Sequence, residues 1–384
     1  MDPAALKESW AYVAKNGDDV PLFFYSHLFL SHPDVRSMFP ISMSGQRDKL
    51  VAALGAVVSN VDQFDTVAPL LGQLGNDHRR FRATPDQYNA VGASLLATLQ
   101  HFLGSQWTDE LAADWAAAYG VIAKTMVQGA EEAAKTAPSW WDAEVLSVER
   151  RTLDVAVIQL RPQQPLPYEP GQSLAVEVPQ RERLWRYYSP ANAPREDGTL
   201  DLHVQIVDGG QVSSAMVKEL TAGDVVRMSA PIGTALTLDD PTRDLLLVAG
   251  GTGLAPFKAL VEQVDRLWSE TGSGPKVHLF HGARMPWNLY DDEAMRAFTD
   301  RPWFAYDSAV SDDSTYRGLR GNVAQVAAAH GSWAGYRVLV CGSGAMVEGS
   351  LTDLAAAGIP RDDIRYEDFG TSGPPPSADT ERTE

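Results

Sequence analysis

The feature that most limits the fold is a change of hydrophobic period just beyond residue 136. From Pro3 to about Ala134, apolar residues recur at helical spacing with short breaks and few β-branched runs, so this stretch reads as all-helical. Thr136-Ala137-Pro138-Ser139 then acts as a hinge. After it Leu153, Val155 and Val157 alternate with Asp154 and Ala156, the period-two pattern of a strand. A chain whose period switches from 3.6 to 2 needs separate cores, and 384 residues exceed what one core usually serves.

The expected organisation is therefore multidomain. Residues 1–136 form an all-α domain, and Thr84-Pro85-Asp86-Gln87 marks a helix start with proline in the first turn. Pro33 and Pro69 are likewise placed near helix ends. Residues 137–238 form an antiparallel β-barrel, with Pro170-Gly171 punctuation, strands over Ser173–Val178 and Leu202–Val207, and an end near Thr237. Residues 239–370 alternate strand (Leu245–Ala249), helix (Ala255–Trp268), strand (Val277–Phe280) and a later strand (Arg337–Val340), which implies an α/β parallel-sheet domain. Residues 371–384, Pro/Ser/Thr-rich and acidic, read as a disordered tail.

Charge and cysteine content remove several functions. The formal net charge of −18, with no clustered basic stretch, repels phosphate backbones and anionic lipid, so neither nucleic acid nor a membrane surface is expected as a partner. No apolar run is long enough for a membrane span, and Met1–Leu6 lacks a secretory pattern. The single cysteine, Cys341, rules out an internal disulfide, a four-cysteine metal site and thioether attachment of a haem. A cytoplasmic monomer is the expectation.

Two glycine turns carry the first chemistry. Leu245–Ala249 runs straight into Gly250, Gly251, Thr252 and Gly253 and on to Pro256, where bare backbone amides and a helix N-terminus suit a pyrophosphate. Such a turn also serves as a plain tight connection. A second one, Cys341-Gly342-Ser343-Gly344-Ala345-Met346, follows another strand and argues for one ligand crevice between the two. In the helical part, His27, His78 and His101 lie among apolar residues, where histidines are more often packed core than ligands. His78 continues a stripe of Leu70, Leu71 and Leu74. Tyr25 shares a face with Leu22 and Phe29, and Gln46 opens a stripe through Leu50, Leu54 and Val57. An inward Tyr or Gln needs a hydrogen-bonding partner, for which a bound ligand or a backbone carbonyl serves equally.

Arg186-Tyr187-Tyr188-Ser189-Pro190 and Gly209-Gly210-Gln211-Val212-Ser213-Ser214, taken with Pro170-Gly171-Gln172, Ala230-Pro231-Ile232-Gly233, both glycine turns and Glu367-Asp368-Phe369-Gly370, resemble the ferredoxin-reductase superfamily. The resemblance implies FAD, with Arg186 on the pyrophosphate, Tyr188 stacked on the isoalloxazine, Ser189 near its reactive nitrogen and Phe369 as the C-terminal aromatic. Gln172, Tyr187, Gly210, Gln211, Val212 and Ser213 complete the implied FAD contacts. Gly250, Gly251, Thr252, Gly253, Pro256, Cys341, Gly342 and Met346 fall to NADH or NADPH.

The helical segment, through Phe24-Tyr25, His32-Pro33, Met38-Phe39, Gln46, Asp77-His78, Pro85 to Tyr88 and Trp115 to Gly120, resembles the globin of flavohaemoglobins. The resemblance then spans nearly the whole chain. It implies haem b held by His78 as the iron ligand, Phe39 on the porphyrin, and Leu50 screening the distal side. Tyr25 and Gln46 become the catalytic distal pair and Tyr88 the proximal support. Three positions depart from the pattern: a short loop from Phe39 to Gln46, Asp77 where a basic residue is usual, and Ala130 where a glutamate is usual. The implied activity is oxidation of nitric oxide by dioxygen to nitrate, driven by NAD(P)H. The competing readings are a haem-coupled oxidoreductase acting on an organic molecule or peroxide, and an oxygen-binding or sensing globin.

Overall fold

The computed structural model describes residues 1–40 and 43–369, leaving aside the side chains of residues 44, 45, 48 and 49. Gly370 and the expected disordered tail, 371–384, lie outside the described residues. The chain separates into two compact units, one ending at Trp140 and one beginning at Trp141.

The first unit is built from six α-helices: α1 (Pro3–Ala14), α2 (Asp19–Ser31), α3 (Ser44–Ser59), α4 (Phe64–His78), α5 (Pro85–Leu103) and α6 (Asp109–Ala134). Their starts follow from the local sequence. Asp2 accepts from the amides of Ala4 and Ala5 with Pro3 in the first turn, Thr108 accepts from Leu111, and the Thr84 amide donates to Gln87 Oε1 at 2.7 Å ahead of Pro85. Pro69 departs from expectation, lying inside α4 rather than at an end. The α4–α6 crossing is glycine-dependent. A Cβ on Gly75 would sit 1.9 Å from the Met126 carbonyl oxygen, and one on Gly129 would sit 2.4 Å from that of Gly72. Only glycine lets the two backbones meet, and that contact sets the course of the helix that ends in His78.

The core of this unit gathers Leu6, Trp10, Val13, Phe24, Tyr25, Leu28, Leu95, Leu99 and Trp115. A second cluster, Val67, Leu71 and Met126, is flanked by Leu74 and Tyr88. Two sequence stripes are narrower than expected. Leu22 and Leu70 are exposed, because the buried faces of α2 and α4 run through Tyr25–Leu28 and Val67–Leu71.

The second unit starts with strands β1 (Trp141–Arg150), β2 (Val155–Pro162), β3 (Leu174–Glu177), β4 (Arg186–Tyr188) and β5 (Leu200–Gln205), then helix α7 (Gln211–Lys218) and strand β6 (Val225–Met228). The six strands pair antiparallel in the order β4-β3-β6-β1-β2-β5, and a Pro190–Leu202 bridge brings the two edges together into a near-closed barrel. The phase of β2 differs from the sequence reading. Leu153 is exposed outside the strand, and Ala156, Ile158 and Leu160 form the fully buried row.

Next come β7 (Leu245–Gly250), α8 (Leu254–Thr271), β8 (Val277–Ala283), α9 (Asp292–Arg296), β9 (Phe304–Val310), β10 (Leu319–Arg320), α10 (Val323–His330), β11 (Arg337–Gly342), α11 (Gly344–Ala356) and β12 (Ile364–Asp368). All six strands run parallel in the order β10-β9-β8-β7-β11-β12. The order reverses between β7 and β11, which is where an open α/β sheet leaves a crevice beyond its strand ends. Phe257, Leu260, Leu247 and Leu279 fill one face, and Leu246, Val248, Phe280 and Ala327 the other.

Candidate functional site

In the second unit a cavity of about 1060 Å³ opens at that reversal. Its wall brings together Arg186, Tyr187 and Tyr188 from β4 with Ser189 next to it, Gly209, Gly210, Val212 and Ser213 around the start of α7, and Gly250, Gly251 and Thr252 at the end of β7. Ser343, Ala345 and Met346 after β11, and Phe369 after β12, close it. Residues almost two hundred positions apart thus face one space. The volume stands at the upper end for ligand pockets, as an extended dinucleotide beside a second nucleotide requires. Amide-rich starts of α7, α8 and α11 together with the Arg186 guanidinium supply donors for phosphate. Burial holds the Tyr188 phenol well above its usual range, so a neutral, stackable ring is presented. These residues fit a bound flavin and nicotinamide nucleotide.

Other sequence-expected contacts stand back from the wall. Gln172 accepts from the Glu169 amide within a turn, Gln211 is exposed at the first position of α7, and Pro256 is buried in α8. Cys341 lies in β11 with its thiol fully buried, and Gly342 ends that strand beside Met346. Gly253 has a packing role: a Cβ there would sit 2.1 Å from the Cys341 carbonyl oxygen. Its bareness seats the first glycine turn against β11.

Three features of the wall had no sequence signal. Ser189 Oγ lies 3.0 Å from Ser173 Oγ, which donates onward to Glu367 Oε2 at 3.4 Å, forming a polar file from the cavity into the interior. Glu367 Oε1 is buried without a partner, and burial pushes the carboxyl up to about 8. Burial thus favours the neutral form of Glu367 near pH 7. Beneath the glycine turn, His281 Nε2 donates to the Gly251 carbonyl at 3.0 Å, and burial lowers this imidazole to about 4. His281 belongs to β8, and its bond braces Gly251 at φ +55°. From the barrel, His203 pairs with Tyr290 at 2.8 Å and is pushed by burial to about 3. Arg284, just after β8, is tied to Asp312 at 2.9 Å.

The Glu367 carboxyl gives a pH prediction. Its folded value of about 8 exceeds the ordinary 4.5, so between these limits the native state keeps a proton that the unfolded chain releases. Stability supplied by the neutral carboxyl is complete below about 4.5 and falls as pH rises to about 8. In Glu367→Gln this fall disappears. Thermal unfolding of parent and variant compared at about pH 5 and about pH 9 should show the variant gaining relative stability at the higher pH. An offset independent of pH would contradict the assignment.

In the first unit, Tyr25, Phe39 and Gln46 converge. The Tyr25 hydroxyl donates to the backbone carbonyl of Gln46 at 3.3 Å, and its ring meets those of Phe39 and Phe29 at 5.6 and 5.8 Å. Burial drives the phenol far above its usual range, against a smaller opposing effect of Gln46. Phe39, Gln46 and Leu50 remain half-buried around it. His78, at the end of α4, has its Nδ1 2.7 Å from the Leu74 carbonyl oxygen. A carbonyl only accepts, so the proton sits on Nδ1 and the Nε2 lone pair is free in the tautomer a metal requires. Burial keeps the ring below its usual value and so neutral. Tyr88 lies 6.3 Å from His78, ring to ring. The other two histidines differ: His101 is exposed, stacked on Phe23, and His27 Nδ1 is engaged with Ser94 Oγ at 3.1 Å. One neutral imidazole, a buried phenol and half-buried apolar side chains fit a haem held by His78.

Three family models match the chain in order: globin over 22–126, oxidoreductase FAD-binding domain over 142–236, and oxidoreductase NAD-binding domain over 247–351. A flavohemoprotein of Deinococcus radiodurans is 28% identical over 397 residues, with 96% of each chain covered. The chain belongs to the flavohaemoglobin family. A flavohemoglobin from Malassezia yamatoensis with bound FAD and heme shares the fold with TM-score 0.77 at 19% identity, covering 96% of this chain and 98% of that one. The FAD/NAD-binding domain of a nitric oxide dioxygenase from Vibrio cholerae overlays 60% of this chain and 98% of its own with TM-score 0.53 and 21% identity. As a flavohaemoglobin the protein is an oxidoreductase that uses NAD(P)H, FAD and haem. Among the described residues no helix is long and apolar enough to cross a membrane.

Proposed function

We propose that this flavohaemoglobin is a nitric oxide dioxygenase, combining nitric oxide and dioxygen to nitrate at the expense of NAD(P)H. The observation that carries the reading is Tyr25, a buried neutral phenol whose hydroxyl, among the described residues, makes one long 3.3 Å bond, to the Gln46 backbone. When bound, the nicotinamide supplies hydride, the flavin divides it into single electrons, and the haem binds dioxygen. The chain's own residues do the rest. His78, with its tautomer set by Leu74, gives the iron its protein bond. Tyr25 turns its hydroxyl to a polar ligand while Gln46 takes part on the same side, and Phe39 and Leu50 keep water from it. Arg186 and the start of α7 would hold the pyrophosphate, Tyr188 would stack on the flavin, and Ser189, backed by Ser173 and Glu367, would hold a proton beside it.

The peroxide alternative finds less support on the proximal side, since His78 meets an uncharged carbonyl and so donates less electron density to iron than with a carboxylate partner. The sensing alternative leaves the attached electron supply without a purpose. Nitric oxide consumption that requires both NAD(P)H and dioxygen tests the reading directly. Consumption independent of either would contradict it. In Tyr25→Phe, loss of one hydrogen bond worth about 1–2 kcal/mol speeds dioxygen dissociation roughly 5- to 30-fold. Flash photolysis measures this, and an unchanged rate would return Tyr25 to a purely structural place.

A further inference from the structure

At the far end of the nucleotide sheet from the cavity, two imidazoles and a carboxylate converge. His278 and Phe280 are two apart on β8 and share a face, and Asp307 on β9 is the register partner of Phe280, so it emerges on that face too. His330, the last residue of α10, comes down on the pair. Asp307 Oδ2 lies 2.8 Å from His278 Nε2 and 3.9 Å from His330 Nε2, and one ligand atom from each residue falls within 4.8 Å of the others. The His278 ring is locked by stacking on Phe280 at 4.4 Å and by the edge of Trp333 at 5.3 Å. His330 stands across it at 5.0 Å, exposed to solvent.

A hydrogen bond accounts for His278 and Asp307, but His330 brings a second imidazole to the same carboxylate oxygen. An ion bound at about 2.0–2.2 Å from each ligand holds paired ligand atoms roughly 3–4 Å apart. The His330–Asp307 separation of 3.9 Å lies in that range, and the 2.8 Å His278–Asp307 contact would open, and the imidazoles close from within 4.8 Å, by side-chain rotation. Two imidazole nitrogens and one carboxylate oxygen suit a borderline divalent ion such as zinc rather than magnesium or calcium, and three protein ligands leave a position for water. We propose that His278, Asp307 and His330 form a binding site for one divalent transition-metal ion of the zinc type, tying the C-terminal end of α10 to β8 and β9. The opposite end of α10 contributes Val323 and Ala324 to the cavity wall, so the ion steadies an element of the nucleotide crevice from about 12 Å away.

The test is calorimetric titration of zinc chloride into the full-length protein, loaded with haem and FAD and freed of adventitious metal by EDTA. One saturable equivalent is expected, together with a zinc-dependent rise in the thermal transition. His330→Ala, at an exposed position that the fold does not need, and His278→Ala should both lose the equivalent and the rise. Asp307→Asn should weaken binding at least tenfold, and His101→Ala, exposed elsewhere, should keep both. Absence of a saturable equivalent in the parent, or its survival in His330→Ala and His278→Ala alike, would overturn the proposal.

Discussion

His78→Ala is expected to abolish most haem retention and with it nitric oxide consumption, while NAD(P)H-driven reduction of a soluble dye continues near the parent rate. The expectation rests on the proposed ligand and on the division of the chain. With His78 as the proposed ligand, the iron's protein bond would depend on one neutral imidazole whose Nδ1 proton is committed to Leu74, and neither His27 nor His101 is placed to replace it. The proposed FAD- and nucleotide-binding residues belong to a separate compact unit with hydrophobic clusters of its own. Soret absorbance and dye reduction measured on the same sample check both halves. Full Soret absorbance and activity in His78→Ala, with loss of both in His27→Ala or His101→Ala, would move the iron to another histidine.

Gly253→Ala should damage the other half of the protein. The added methyl would press on the backbone carbonyl of Cys341 in a buried strand, and neither partner can rotate away, so the glycine turn must leave its place. A local cost of roughly 1–3 kcal/mol or more is typical of such overpacking, which corresponds to a loss of about tenfold to a hundredfold in nucleotide affinity where the turn forms the site. Gly250→Ala is the contrast. Its methyl would meet the flexible Met346 side chain at 2.9 Å, which can swing aside. The KM for NADH in dye reduction should therefore rise far more in Gly253→Ala than in Gly250→Ala, with the haem spectrum of both intact. Equal effects would mean that backbone contact is not what Gly253 provides.

Local pattern carried the order of the three folds, because helical and strand periods, N-caps such as Thr84 and the strand-to-glycine transitions are properties of neighbouring residues. It failed where burial is decided by distant packing. Leu153 looked like the start of an inward row, yet the inward row of β2 is Ala156, Ile158 and Leu160, each facing barrel strands 40 or more residues away. Likewise His101 and Leu70 carry the right spacing for an inward face but lie on the solvent side. Strands β9 and β12 and helix α10 went unread, since Tyr306-Asp307-Ser308 and Arg365-Tyr366-Glu367 put polar residues inside buried strands whose parallel neighbours supply the partners. The candidate site divides the same way. Arg186 to Ser189 and both glycine turns were legible as motifs and do meet in one cavity. The Ser189–Ser173–Glu367 file and the His281–Gly251 bond join residues 16, 194 and 30 positions apart, and nothing in local sequence announces them.

The central claim is that one chain takes electrons from a nicotinamide nucleotide and spends them on nitric oxide and dioxygen. A single-turnover experiment tests it most directly: the haem- and FAD-loaded protein is reduced anaerobically with NADH, mixed with dioxygen, and then with one equivalent of nitric oxide. The account predicts that the haem spectrum turns ferrous with NADH alone, shifts on dioxygen, and returns to ferric on nitric oxide with one nitrate formed per haem. A haem that stays ferric under NADH, or a dioxygen-treated protein that ignores nitric oxide and yields no nitrate, would contradict it.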